Sequence, residues 1–270
     1  MITSTSNVKI KNVIKYAKSA KERRKADVFL VEGIRMFMEI PHDLMRETYV
    51  TESFYEKNSN LFEQIEYEVV SEHVMEAMTD TRTPQGVVSV VKRLHYSPEE
   101  VCGLTGQSLD GRKQETPLIM ALENLQDPGN LGTIIRTAEG AGVTGIIMSK
   151  ETVDIYNPKV VRSTMGSVFR VPFCYVENLV EWIERLKESG FATYSAHLQG
   201  TSFYDANYTK PTVFAVGNEG NGLTIELSEA ANQKIKIPMM GKVESLNAAT
   251  ASTVLMYEAM RQRKAVPRQN

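Results

Sequence analysis

The chain has 270 residues, with 31 Lys+Arg against 33 Asp+Glu, a formal net charge of −2, 42% hydrophobic and 24% charged residues. These are ordinary globular proportions, which exclude disordered, collagen-like and coiled-coil chains and leave room for one large or two small domains. No apolar run approaches about 18 residues, the N-terminus has no apolar h-region, and Cys102 and Cys174 form no Cys-x-x-Cys pair, which predicts a cytoplasmic protein without membrane span, secretory signal, disulfide framework or structural zinc.

Residues 9–25 (KIKNVIKYAKSAKERRK) carry eight bases and one acid, Glu22, a local charge of +7 that leaves −9 for the rest of a chain totalling −2. Val13, Ile14 and Ala17 form one apolar stripe at helical spacing, so the segment predicts a basic amphipathic helix. Such a run suits either a solvated helix face or a phosphate-binding footprint, which acts locally whatever the total charge. From Phe29 to Lys92 the pattern alternates. FLVEGIRMFMEI (29–40) predicts a strand entering a helix, ETYVTESF (47–54) a strand, EHVMEAMTD (72–80) a helix and GVVSVVKR (86–93) a strand, with Thr83-Pro84-Gln85-Gly86 as a turn. These elements predict a small α/β domain over residues 1–93.

Residues 94–116 are polar, with three Gly and one Pro and no sustained periodicity, which marks them as a linker. Strands and helices then alternate through 117–270. Strands are predicted at 118–124, 145–149, 171–176, 191–196, 212–217 and 234–239. Helices are predicted at 131–140 with Asn130 as cap, from Pro158 with Asn157 as cap, at 179–189, 227–233 and 248–263. This alternation predicts a mostly parallel sheet covered on both faces.

Familiar catalytic signatures are missing or misplaced. Gly140-Ala-Gly142-Val-Thr-Gly145 satisfies G-x-G-x-x-G, but it follows a helix and precedes a strand, the reverse of a dinucleotide fingerprint, and reads as a helix C-cap and turn. There is no phosphate-binding G-x-x-x-x-G-K-[ST] and no Gly-x-Ser-x-Gly, and the four His lack metal-ligand spacing, so no metal is expected.

Three strand-to-loop junctions remain, each at the carboxyl end of a predicted strand, where open α/β sheets place ligands. The first is Asn124-Leu-Gln-Asp127-Pro128-Gly129-Asn130, followed by Arg136 on the second turn of its helix, facing the same opening. The second is Gly217-Asn218-Glu219-Gly220-Asn221-Gly222-Leu223, whose glycines imply close approach of a ligand or another segment. The third is Ile237-Pro238-Met239-Met240-Gly241, then Ser245-Leu246-Asn247 opening the last helix.

The N-x-G-x-x-x-R-x-A of Asn130–Ala138, the G-N-E-G-x-G-L of Gly217–Leu223 and the I-P-M…S-L-N of Ile237–Asn247 resemble the three motifs of the SpoU (TrmH) RNA 2′-O-ribose methyltransferases. Glu32-Gly33-Ile-Arg35 and Thr83-Pro84-Gln85-Gly86 resemble that family's substrate-binding domain. The resemblance spans nearly the whole chain in the right order. It implies a C-terminal trefoil-knotted, SPOUT-type catalytic domain, with residues from about Thr212 onward forming the knot, and methyl transfer from S-adenosylmethionine to a ribose 2′-OH of RNA, most readily 23S rRNA. A tRNA ribose or an RNA base is the alternative target, a non-catalytic RNA-binding protein the alternative class, and a nucleotide-dependent oxidoreductase a distant third.

The resemblance gives Arg136 the central catalytic role, supported by Asn130, Glu219, Ser245 and Asn247. It places the cofactor against Gly217, Ile237 and Leu246, chiefly through backbone, together with Asn218, Pro238 and Met239. It implies a homodimer whose partner chain completes the site; in this sequence Val254, Leu255, Tyr257 and Met260 on the final helix suit either its apolar face or packing on the chain's own sheet. Lys9, Lys11, Lys15, Lys18, Arg23, Arg24 and Arg35 are the expected RNA contacts of the first domain.

Overall fold

The computed structural model describes residues 1–105 and 116–265. It divides into two compact units, one formed by Met1–Leu94 with Asp154–Phe169 and the other by His95–Val153 with the chain from Arg170 onward. Residues 106–115 of the expected linker lie outside the described residues.

The first 94 residues form α1 (Val8–Lys18), α2 (Ala20–Ala26), β1 (Val28–Glu32), α3 (Ile34–Phe37), β2 (Met45–Thr51), α4 (Glu52–Asn58), β3 (Glu68–Val70), α5 (Glu72–Met78) and β4 (Val87–Lys92). After them come α6 (Pro98–Val101), β5 (Leu118–Leu122), α7 (Pro128–Ala141), β6 (Gly145–Ser149) and α8 (Pro158–Thr164). The chain continues through β7 (Phe173–Val176), α9 (Leu179–Glu188), β8 (Ala192–Ser202), β9 (Thr212–Val216), α10 (Ile225–Ala230), β10 (Gln233–Lys236) and α11 (Ala248–Ala265).

The single basic helix expected over 9–25 is two helices, because Ser19 leaves helical geometry at φ −131°, ψ 113°. Its N–H still donates to Lys15 O at 2.9 Å while its hydroxyl accepts from Glu22 N at 3.3 Å, so one residue ends α1 and caps α2. Ile10 and Val13 of α1 are fully buried against Val74, Met75 and Met78 of α5 and Leu30, Tyr49, Val88 and Val90 of the sheet. That sheet runs β1-β4-β2-β3, with β4 antiparallel to both neighbours and β2 parallel to β3. The strand read through Phe54 stops at Thr51, whose hydroxyl accepts from Phe54 N at 3.3 Å and caps α4.

Residues 154–169, read from sequence as part of the second half, pack with the first unit. Ile155, Tyr156, Val160 and Val161 are buried there, and Tyr156 lies 4.6 Å from Phe29 between ring centroids. Tyr156 Oη accepts from Leu94 N at 2.8 Å and donates to Leu94 O at 3.0 Å, holding the chain where it leaves the unit. Periodicity shows that a helix has an apolar face, but not which sheet that face covers.

The second unit holds a six-stranded parallel sheet in the order β10-β8-β9-β5-β6-β7. Ile119, Ala121, Ile147, Val213 and Ala215 pack on Ile183 and Leu186 of α9 and Leu227 of α10. Their alternates Leu118, Met120 and Leu122 are buried on the opposite face, and α7 and α11 pack against one another. Burial on both faces makes these strands continuously apolar, and each fully buried Leu, Ile or Met contributes roughly 1.5–3 kcal/mol. Inside the expected linker, Ser97 and Glu100 form a capping box that starts α6, whose Val101 joins this core. Because all six strands are parallel, the segments leaving β5, β9 and β10 emerge at the same edge of the sheet.

Candidate functional site

The three junctions meet through side chains. Helix α7 begins at Pro128, three residues earlier than its periodicity indicates, because Asp127 rather than Asn130 is the cap, its Oδ1 accepting from Asn130 N at 2.8 Å. Asn130 therefore sits inside the first turn with its side chain available. Its Nδ2 donates to Glu219 Oε1 at 2.8 Å, and its Oδ1 accepts from Asn247 Nδ2 at 3.0 Å. Asn247 Oδ1 accepts in turn from Ala249 N at 2.9 Å and Thr250 N at 3.3 Å, which caps α11. One asparagine thus joins the loops after β5, β9 and β10.

Glu219 also accepts from the backbone of Asp127 (3.3 Å) and Gln126 (3.4 Å). Partial burial would push its carboxyl up, but the donors from Asn130, Gln126 and Asp127 outweigh this and hold it below the usual carboxylate range. It is an anion at neutral pH, used to brace the loops.

The β9 loop is closed on itself. Asn218 and Gly222 exchange backbone hydrogen bonds at 3.0 and 2.9 Å, and a Cβ on Gly217 would fall 2.1 Å from Gly222 C, so only glycine fits. Asn218 donates to Asn124 O at 2.8 Å and accepts from Gly220 N at 2.8 Å, so its amide holds this loop to the first. Glu123, not singled out from the sequence, is buried at the end of β5. It accepts from Thr224 N and Oγ1, both at 2.7 Å, tying the far end of the β9 loop to the same strand. A carboxylate directly after the apolar run LIMAL was the available signal.

The third loop differs in kind. Among the described residues, no backbone–backbone hydrogen bond outside the regular elements involves residues 237–246. Pro238 and Met240 to Ser245 are exposed, and Ile237, Met239 and Leu246 half-buried. Ser245 has no hydrogen-bond partner among the described residues and stays outside the Glu219–Asn130–Asn247 chain.

Arg136 is exposed, and among the described residues its guanidinium has no hydrogen-bond or ion-pair partner. With α7 starting at Pro128 it lies on the third turn, not the second. Six residues from Asn130 means about 9 Å along the axis and a third of a turn around it, so the two side chains leave different faces of the helix. Arg136 shares its exposed stripe with Thr133 and Gly140, where a Cβ would come 3.2 Å from Tyr257 Oη. Of the apolar residues expected to face a partner, Tyr257 is exposed and Val254 and Met260 are half-buried. Leu255 is corrected, being 1% exposed inside its own unit.

In the first unit the expected RNA contacts separate. Lys11, Lys15, Lys18, Arg24 and Arg35 are exposed and have no hydrogen-bond or ion-pair partner among the described residues. Lys11, Lys15 and Lys18 follow i, i+4, i+7 spacing and share one face of α1. Lys9 is exposed but paired with Glu68 at 2.5 Å. Arg23 is corrected. Its side chain is only 4% exposed, with Nη2 2.5 Å from Asp154 Oδ2 and Nη1 donating to Tyr16 O at 2.7 Å, so its charge is used inside the fold. The G-x-G-x-x-G match is disposed of geometrically, since Gly142 ends α7 at φ +75° and Gly145 opens β6.

The family model of the SpoU rRNA Methylase family matches residues 117–257, and that of the MRM3-like substrate binding domain matches residues 7–89. Over 259 residues the chain is 33% identical to the 23S rRNA (guanosine(2553)-2′-O)-methyltransferase RlmP of Bacillus subtilis, covering 95% of this chain and 97% of that protein. The crystal structure of the SpoU methyltransferase AviRb from Streptomyces viridochromogenes in complex with AdoMet aligns with a TM-score of 0.82 at 26% identity, covering 96% of this chain and 99% of that one. The AdoMet-bound rRNA methyltransferase from Sinorhizobium meliloti aligns with a TM-score of 0.79 at 31% identity, covering 96% and 97%.

Proposed function

The chain belongs to the SpoU rRNA Methylase family, and from that premise we propose that it methylates a ribose 2′-OH of 23S rRNA, using S-adenosylmethionine. The observation that carries the reading is the Glu219–Asn130–Asn247 chain, which unites the three motif loops at one edge of a parallel sheet.

The loops fit that cofactor. Residues 237–246 keep main-chain groups outside the backbone hydrogen-bond pattern, which suits reading an adenine edge by N–H and C=O, and Gly217 removes the side chain where the β9 loop closes. Gly217, Asn218, Ile237, Pro238, Met239 and Leu246 would hold it. When bound, the cofactor supplies a sulfonium methyl with an already good leaving group, so this chain's task is alignment of the 2′-OH and help with its proton. Asn130, Glu219 and Asn247 brace the loops, and Ser245 stands free at the mouth of the last helix to bind ribose or cofactor.

Arg136 binds the phosphate next to the target ribose and orients the hydroxyl. A guanidinium with a pKa above about 12 is a poor base, whereas its planar fork matches phosphate. Its position, on a different face of α7 from Asn130 and one turn before Gly140, which adjoins exposed Tyr257, supports a homodimer in which it serves the partner's loops. The same reading carries the trefoil threading of the chain from about Thr212. Gly200 supports it, since a Cβ there would fall 2.5 Å from the backbone of Ile235 in β10.

Arg136→Ala is the test. Cofactor affinity measured by calorimetry should stay within about twofold, while methyl transfer to a 23S rRNA transcript falls by at least about 100-fold. Retained turnover would overturn the assignment. A monomer in sedimentation at micromolar concentration would remove the dimer.

A further inference from the structure

The basic face of α1 does not account for the two other motifs of the first domain, Glu32-Gly33-Ile34-Arg35 and Thr83-Pro84-Gln85-Gly86, the second directly preceded by Thr81-Arg82. The structure brings them together. Gln85 Oε1 accepts from Ile34 N at 3.0 Å, and a Cβ on Gly33 would lie 2.7 Å from that oxygen. Glu32 accepts from Thr81 Oγ1 and from Arg162 Nη1, the latter at 3.3 Å. Gly33 and Gly86 both hold positive φ, +89° and +86°. A Cβ on Gly86 would meet Thr51 Oγ1 at 2.7 Å and Phe54 Cβ at 2.8 Å. The loops are therefore pinned at both ends. What they carry outward is Arg35, in the first turn of α3 directly after one, and Arg82 on the other. Both are exposed, and neither guanidinium has a hydrogen-bond or ion-pair partner among the described residues.

We propose that Arg35 and Arg82 form a second RNA-contact element, in which two guanidinium forks on braced backbone grip phosphate or a guanine edge while the lysines of α1 supply attraction without geometry. A guanidinium fork on a braced loop loses less freedom on binding than an ammonium on a four-carbon stem, which favours a geometric role over bulk attraction. The inference deepens the reading of this chain as an enzyme acting on RNA and rests on it.

The experiment compares wild type, R35A/R82A, R35K/R82K and K11A/K15A/K18A, with a 23S rRNA transcript as probe. Affinity is followed against salt, methyl transfer at saturating RNA, and folding by thermal melting. R35A/R82A should bind at least about tenfold more weakly, with a salt slope reduced by roughly 1.4–1.8, and keep its rate at saturation. R35K/R82K should recover the slope but not the affinity, whereas K11A/K15A/K18A should lower both in proportion. Affinity within twofold of wild type in R35A/R82A would overturn the proposal. So would full recovery by lysine, which also decides the matter should the alanine variant fail to fold. A wild type that binds the transcript but transfers no methyl would instead sink the enzymatic reading and leave the binding result standing.

Discussion

Asn130 and Glu219 stand 89 positions apart and meet at 2.8 Å, Nδ2 to Oε1, in a bond that fastens the loop after β5 to the loop after β9. Asn130 Oδ1 simultaneously takes a bond from Asn247, so one uncharged amide serves as donor to an anion and acceptor from a helix cap. Neither a carboxylate nor an ammonium can do both.

Asn130→Asp should therefore do more harm than Asn130→Ala. The alanine variant loses both bonds, and the charge-assisted one to Glu219 alone is worth about 1.5–3 kcal/mol, which corresponds to at least roughly 10- to 150-fold in cofactor affinity if the loops must be joined to bind. The aspartate adds a second anion beside Glu219 and should weaken binding further, by calorimetry at pH 7.5. Equal effects of the two substitutions would contradict the bracing role.

Glu219 gives the site a pH dependence of definite sign. Its folded-state carboxyl is held low, so the stabilisation is fully present above the unfolded value of about 4.3 and is lost as pH falls through the lowered folded value. Cofactor affinity should stay level from about pH 8 to 5 and fall steeply only below about 4. Glu219→Gln should bind more weakly throughout and lack that acid limb, because its amide accepts through one oxygen only.

Two glycines in the loops should respond oppositely to alanine. In Gly217→Ala the new methyl would overlap Gly222 C at 2.1 Å, so the β9 loop must open, and we expect at least about 2 kcal/mol of lost stability with loss of cofactor binding. Gly241 has no atom within 4 Å of a would-be Cβ and no positive φ, so Gly241→Ala should leave the melting temperature unchanged. A tolerant Gly217 would mean that the loop closes differently.

Arg23 and Lys15 carry the same charge but should behave differently. Arg23→Ala leaves Asp154 unpaired and strips cover from residues 154–169, and should destabilise by about 3 kcal/mol. Lys15→Ala should leave stability within about 0.5 kcal/mol and lower the RNA salt slope by about 0.7–0.9. Melting curves and RNA titrations at several salt concentrations separate the two. Removing residues 1–92 is a poor way to ask the same question, because Ile155, Tyr156 and Val160 would lose the unit in which they are buried.

Much of this was legible in the linear chain because it depends on neighbours within a few residues. The apolar runs at 118–122, 145–149 and 212–216 are strands, Asn157 caps α8, Gly142 ends α7, and Asn247 opens α11. The loop residues Asn130, Glu219 and Asn247 could be named from motif spacing alone. Misjudged details were local competitions. Asp127 took the cap from Asn130, and Ser19 divided a continuous periodic stretch, because a hydroxyl or carboxylate that satisfies free N–H groups outweighs an unbroken pattern.

The amino-acid sequence by itself determined the elements, the motif residues and the split of charge into a +7 segment and a −9 remainder. Tertiary structure alone decided the order β10-β8-β9-β5-β6-β7, the joining of residues 89 and 117 positions apart, and the attachment of 154–169 to the first unit. It also removed Arg23 from the RNA face and Leu255 from the apolar one, and showed Glu123 clasping Thr224. The division has one physical cause. Backbone propensity and periodicity act over a turn or a strand, whereas the partner of a buried charge or an amide is set by which distant segments the folded chain brings within 3 Å.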